Sequence, residues 1–269
     1  YQFFVIICGF CFETIKFDES FSGTVKVSCH REGKHDFTSQ DIERVIGKVL
    51  REKGYEVDYK EYDEVLFVDV LDDRVLFGKE VTRKLLSKRE YRIKVHKQSI
   101  NACTAYCLVR LSGWDEGILL DPFSKDGIVS IEAELFRIKE KIDGKVVGYD
   151  SLFHNVRSAE INSKLAEIKI KLARFDATWL DTKFADDEVS VVVSSVPFPS
   201  KTVSENKISV LYNDLFKALK LILKGKAVFI APKVELLKNV AQENGFKIVE
   251  ERITFMGKAE FKVVVFKKM

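Results

Sequence analysis

The 269-residue chain predicts an α/β protein in two parts: a small α+β unit, then a larger, mostly parallel sheet closed by a β-hairpin. Three observations carry this. From residue 98 onward, short apolar runs alternate with amphipathic helical stretches, the pattern of strands joined through crossover helices. The last two segments, FKIVEERITFMG and KAEFKVVVFKK, follow one another with only a turn between them, so the sheet ends in a hairpin. Before residue 85 the pattern is different, with one helix set among alternating strands.

Composition bounds the rest. With 46% hydrophobic and 32% charged residues, 21 Phe and only 4 Pro, the chain can bury a large core and has little linker character. The net charge of +3 does not by itself imply nucleic acid, so its distribution has to be examined. No apolar stretch is long enough to span a bilayer. The apolar start is short and lacks a basic flank, which makes a poor signal peptide. The chain begins at Tyr1 rather than Met, leaving open a preceding segment, and a cytoplasmic location is expected. The odd count of 5 cysteines is unlike a secreted disulfide framework. Cys8 and Cys11 have the spacing of half a zinc site or redox pair. No second Cys/His pair follows, so they read as small buried strand residues and no metal site is expected. Cys103 and Cys107, at i, i+4, are expected in the core.

The elements follow in order. TVKVSCH (24–30) alternates as a half-buried strand. TSQDIERVIGKVLREK (38–53) is a helix. Thr38 or Ser39 caps it, Asp41 and Glu43 suit its first turn, and Gly54 stops it. Ile42, Val45, Ile46, Val49 and Leu50 form its expected apolar stripe. VLFVDVLDDRVLFG (65–78) gives two strands about a turn at Asp72-Asp73. SINACTAYCLVRLSGW is a helix ending at Gly113. ILLD, KVVGYD (145–150), IKIKLARFDA (168–177), VSVVVSSV (189–196) and KAVFIA supply five strands, with helices after the first, second, fourth and fifth.

Positive charge concentrates in KEVTRKLLSKREYRIKVHK (79–97), where Lys84, Lys88, Arg89, Arg92, Lys94 and Lys97 interleave with Tyr91 and His96. This is a plausible polyanion footprint, with a solvated linker as the bland alternative. The expected domains are 1–88, a basic linker 89–97, and 98–269.

Ligands of parallel α/β sheets sit at the carboxyl ends of the strands. Those ends carry Asp121, Asp150, Asp176 and the run Ser194-Ser195-Val196-Pro197-Phe198-Pro199. Asp150 is placed to accept from a ribose diol and Asp176 from an adenine amine, although a strand-end Asp is often only a helix cap or turn former. The first loop, DPFSKDG (121–127), carries one glycine where nucleotide loops usually carry two or more. It therefore lacks the G-x-G-x-x-G of a dinucleotide dehydrogenase.

These residues resemble the THUMP-domain RNA methyltransferases, particularly the type that forms N2-methylguanosine in tRNA. VKVSCHREGKHDFTSQDIERVIGKVLREKGYEVD resembles the THUMP RNA-binding module, and KREYR its connection into the catalytic domain. LLDPFSKDGIVSIEAEL is similar to the family's cofactor loop, D-P-F-C-G-S-G-T followed by I-E-A. VSVVVSSVPFPSK falls where the family has N-P-P-Y/F-G or D-P-P-Y-G. The resemblance implies a Rossmann-like class I methyltransferase sheet with a terminal hairpin, preceded by a THUMP-like domain. It implies S-adenosylmethionine as cofactor, held by Asp121, Phe123, Gly127, Asp150 and Asp176, and RNA, most naturally tRNA, as partner. Catalysis would rest on Ser195, Pro197 and Phe198.

Two departures from that pattern matter. In the family, the Asn or Asp and the adjacent carbonyl accept the N–H bonds of the target amine and aim its lone pair at the methyl group. Here Ser195 stands for that residue and Val196 for the first Pro. Loss of one preorganised acceptor costs about 10²–10³ in rate. Phe198 can stack on a base taken out of its helix, or be a core aromatic. Lys125 stands at the family's first glycine, where its side chain would intrude on the methionine moiety, swing outward, or pair with the cofactor carboxylate. Three readings follow: an active RNA methyltransferase, an RNA-binding homologue that has lost transfer and serves a protein partner, or a methyltransferase fold acting on a small molecule or protein.

Overall fold

The computed structural model describes the backbone of residues 2–7, and residues 21–82 and 85–269 in full. The chain divides into two compact units, Tyr1–Leu85 and Leu86–Met269. Cys8, Cys11 and Lys84 lie outside the residues whose side chains are described.

The first unit is a four-stranded sheet in the order β1-β4-β3-β2. Its strands are β1 (Gln2–Ile7), β2 (Val25–Glu32), β3 (Glu64–Leu71) and β4 (Arg74–Lys79), with helix α1 (Ser39–Glu52) between β2 and β3. β2 and β3 run parallel, which a tight turn cannot achieve, so α1 serves as the crossover. β3 and β4 are antiparallel about Asp72, which takes a left-handed φ of 51°. Thr38 and Asp41 form a reciprocal capping box that satisfies the first orphan amides of α1. Ile42, Ile46 and Leu50 pack with Val25, Val27, Leu66 and Val68. Val45 leaves the expected stripe and is 45% exposed. At 100° per residue it lies off the face shared by positions 42, 46 and 50, and the sheet covers only that face.

The second unit opens with helix α2 (Ala102–Ser112), then β5 (Glu116–Asp121), α3 (Ile128–Glu140), β6 (Asp143–Asp150), α4 (Phe153–Leu165) and β7 (Lys171–Arg174). A 3₁₀ turn (Ala177–Thr182) leads to β8 (Val189–Ser195), α5 (Glu205–Ile222), β9 (Leu223–Ala231) and α6 (Glu235–Glu243). The hairpin β10 (Phe246–Met256) and β11 (Ala259–Lys268) follows. The seven strands are ordered β10-β11-β9-β8-β5-β6-β7. β7, β6, β5, β8 and β9 pair in parallel, and β11 inserts antiparallel between β9 and β10.

The apolar runs are explained by burial on both faces of this sheet. Leu120, Val192 and Phe229 face one core with Phe216 and Tyr212, while Leu119, Val191, Val193 and Val228 face the other with Val109 and Ile131. Period-2 alternation divides each strand between the two cores, so neither face reads as polar. The expected strand 168–177 shrinks to Lys171–Arg174, because β7 is an edge strand and Asp176 caps the following turn. Cys103 is half-buried and Cys107 exposed, contrary to their expected place in the core. The buried face of α2 runs through Ala102, Ala105, Leu108 and Val109 instead.

From β5 the chain winds out through β6 and β7, then returns to place β8 on the other side of β5. This reversal is the topological switch point, where adjacent loops leave in opposite directions and open a crevice.

Candidate functional site

A cleft of about 310 Å³ opens at that point. Phe123 and Lys125 line it from the loop after β5, Asp150 from the end of β6, Asp176 from beyond β7, and Pro197 from beyond β8. His96 and Gln98 close it from the segment preceding α2. Sheet order thus gathers strand ends as far apart in sequence as Asp121 of β5 and Ser195 of β8.

Asp121 lies beneath the cleft rather than in its lining. It is fully buried, and its carboxylate accepts from Ser194 Oγ at 2.6 Å and Ser130 Oγ at 2.9 Å. Burial pushes its carboxyl up to about 6, against the two hydroxyl donors and Lys125. It ties β5, β8 and α3 together. Gly148, opposite Asp121 on β6, keeps this network open, since a Cβ there would fall 2.6 Å from Ser130 Oγ. Gly127 has φ +83° and caps α3, and a Cβ on it would meet the Ala159 Cβ at 2.9 Å. Its glycine serves left-handed backbone and close helix approach.

Asp150 is nearly buried and held by three donors: Lys125 N at 3.0 Å, Leu152 N at 3.0 Å and Asn155 Nδ2 at 2.9 Å. A carboxylate has about four lone-pair sites, so one remains for a ligand hydroxyl. Asp176 accepts at Oδ1 from Thr178 N and Oγ1, and is otherwise exposed at the rim.

Lys125 decides the character of the site. Its φ of 52° is left-handed, a conformation that suits the glycine of related loops and costs a lysine about 1–2 kcal/mol. The residue is only 6% exposed. Its Nζ donates to Ser195 Oγ at 3.1 Å and to the Gln98 carbonyl at 3.4 Å. Among the described residues, no carboxylate comes within ion-pair distance of it. Burial pushes the amine down to about 8, with Asp121, Asp126 and Asp150 opposing. The same burial, and then the Lys125 charge, lower His96. The two departures from the family pattern are therefore one structural feature: the lysine of the first loop is hydrogen-bonded to the serine of the second motif.

The rest of that motif is partly absorbed into the core. Val196 is fully buried, the Pro197 carbonyl accepts from Tyr212 Oη, and Phe198 is half-buried against the core that contains Phe216.

The basic segment divides in two. Arg89 makes a bidentate pair with buried Glu132 at 2.7 and 3.0 Å, and Tyr91 Oη donates to the same carboxylate at 2.5 Å. Arg92 reaches Asp126 at 3.4 Å and Ser99 Oγ at 2.7 Å. Asn162 fastens the Lys94 backbone through both its amide N and O. Arg89 and Arg92 thus hold KREYR onto α3 and the loop after β5, while Lys88, Lys94 and Lys97 remain exposed. Ser130, Glu132, Asn155 and Asn162 escaped sequence reasoning. Only Glu132 carried a signal, as the Glu of I-E-A. No group of three or more metal-ligating side chains occurs among the described residues, and no described helix is long and apolar enough to cross a membrane.

A mostly parallel seven-stranded sheet with this order and cleft is that of the S-adenosylmethionine-dependent methyltransferases, here joined to an N-terminal THUMP domain. The chain belongs to the family described as RMKL-like, methyltransferase domain, which matches residues 89–260, and the THUMP domain matches residues 13–78. It is 28% identical to the tRNA (guanine(6)-N2)-methyltransferase of Methanocaldococcus jannaschii, covering 89% of this chain and 73% of that one. It is likewise 28% identical to the enzyme of the same name from Thermus thermophilus, over 92% of this chain and 73% of the relative. The crystal structure of TrmN from Thermus thermophilus superimposes with a TM-score of 0.71 at 26% identity, covering 92% of this chain and 73% of that one. The chain is thus a homologue of tRNA guanine-N2 methyltransferases.

Proposed function

We propose that the chain is a tRNA-binding member of this family whose transfer point is closed by Lys125. Residues 1–88 supply the RNA-binding part and 98–269 the methyltransferase fold, with the basic stretch 89–97 between them. Lys88, Lys94 and Lys97 contact RNA phosphates. The observation that carries the closed site is the Lys125 Nζ–Ser195 Oγ bond at 3.1 Å.

S-adenosylmethionine fits this site at one end only. Asp150 and Asp176 are placed to accept from its ribose and adenine. Its sulfonium, which supplies an electrophilic methyl group, would have to share the cleft with a buried ammonium, and like charges in such a setting repel by several kcal/mol. The acceptor for a guanine amine is compromised as well. Ser195 Oγ already receives one hydrogen bond from Lys125, and its hydroxyl is shorter than an Asn or Asp side chain.

A second reading, in which transfer survives, draws on the Lys125 amine being pushed down to about 8. Above that pH the amine is neutral and the charge conflict disappears. Transfer of labelled methyl to unmodified tRNA, measured from pH 7 to 9, separates the two. No transfer by the wild type at any pH supports the closed site. Guanine-N2 methylation that climbs with pH supports the second reading and refutes the first.

A further inference from the structure

The cleft holds a cation of its own. The Lys125 ammonium is nearly buried, its direct bonds go to two neutral oxygens, and Asp121, Asp126 and Asp150 surround it one layer out. Burying an ammonium is costly unless the surroundings are built for positive charge. Three carboxylates offset part of that cost without cancelling it. Asp121 rises from β5, Asp126 from the same loop as Lys125, and Asp150 from β6, while Arg92 offsets only Asp126. Facing them from the segment before α2 is His96, whose protonation is disfavoured by burial first and then by the Lys125 charge.

We infer that Lys125 is an internal counter-cation that fills the cationic place of the pocket, so that the cleft selects a nucleoside whose 5′ sulfur is uncharged over one with a sulfonium. The ligand class is an adenine nucleoside thioether. The inference rests on the reading of this cleft as the nucleoside pocket of a closed methyltransferase site. It assigns the closed site a ligand instead of leaving it empty.

The matched pair S-adenosylhomocysteine and S-adenosylmethionine tests this, because the two differ only by a methyl group and its charge. Both affinities are read on the full chain by calorimetry, for wild type and Lys125→Met. The wild type is expected to prefer the thioether by about tenfold or more, and Lys125→Met is expected to lose about tenfold of that preference. A second arm needs no variant. In wild type the preference should shrink as pH rises from about 7 to about 9.5, across the Lys125 transition, since Asp121 titrates near 6 and His96 lower than its ordinary value. The inference is overturned by a preference that is the same in both proteins and flat with pH, by tighter binding of the sulfonium to wild type, or by no binding of either compound. Binding of the sulfonium as tight as that of the thioether, without transfer to tRNA, would overturn this inference and leave the closed-site reading standing. Transfer to tRNA by the wild type would overturn that reading itself.

Discussion

Replacing Lys125 with Met removes a buried ammonium while keeping a flexible side chain of similar length. The fall of its amine from 10.5 to about 8 corresponds to about 3 kcal/mol. The sign follows from proton counting. Between about pH 8 and 10.5 the unfolded chain holds this proton and the native chain does not, so native stability rises with pH through that window. Below about 8 both states are protonated and the full penalty of the buried charge is present. Wild type should therefore gain up to about 3 kcal/mol on Lys125→Met between pH 7.5 and 10.5. Titrations common to both proteins cancel in the difference. Urea unfolding followed by tryptophan emission reads the right part of the molecule, because Trp114 and Trp179 are the 2 tryptophans of the chain and both lie in Leu86–Met269. A stability gap that stays flat across that range would refute a buried, charge-suppressed Lys125.

Glu132→Gln should destabilise the second unit by about 1–3 kcal/mol, because it leaves Arg89 without its bidentate carboxylate and Tyr91 with a weaker acceptor. Amide hydrogen exchange should show the loss first in residues 88–97. Gly127→Ala should cost about 1–3 kcal/mol by urea unfolding, since its Cβ would crowd Ala159 at 2.9 Å in left-handed backbone. An unchanged midpoint would mean that α4 can yield. Combined Lys88→Ala, Lys94→Ala and Lys97→Ala should lower the magnitude of the salt slope of tRNA binding by about 2–3 in log–log terms. Arg89→Ala should act mainly on stability, because its guanidinium is already committed to Glu132. Equal slopes for wild type and the triple variant would remove these lysines from the RNA interface.

The architecture was legible because it rests on local periodicity. Apolar runs such as VSVVVSSV sit in β8 with both faces covered, and a doubly covered strand can be written almost entirely in Val. Thr38, Asp41 and Gly54 signalled α1 through bonds that span only a few residues. The failures are equally physical. Val45 and Cys107 fit helical spacing, but spacing does not say how wide a face the neighbouring sheet covers. The basic run 79–97 showed its charge but not its partners. Arg89 pairs with a residue 43 positions on, and nothing in KREYR names Glu132.

By itself the sequence determined the element order, the family resemblance, and the two positions, Lys125 and Ser195, where the chain departs from it. Hydrogen-bonding periodicity and turn chemistry are local, and a motif is read in place. Tertiary structure decided that those two positions touch. They lie 70 residues apart and meet only because β8 returns to pair beside β5, a non-local choice that no window of sequence encodes. It also decided that Asp121 supports the site from below while Asp150 faces the cleft, since burial depends on what packs above a strand end and not on the strand itself.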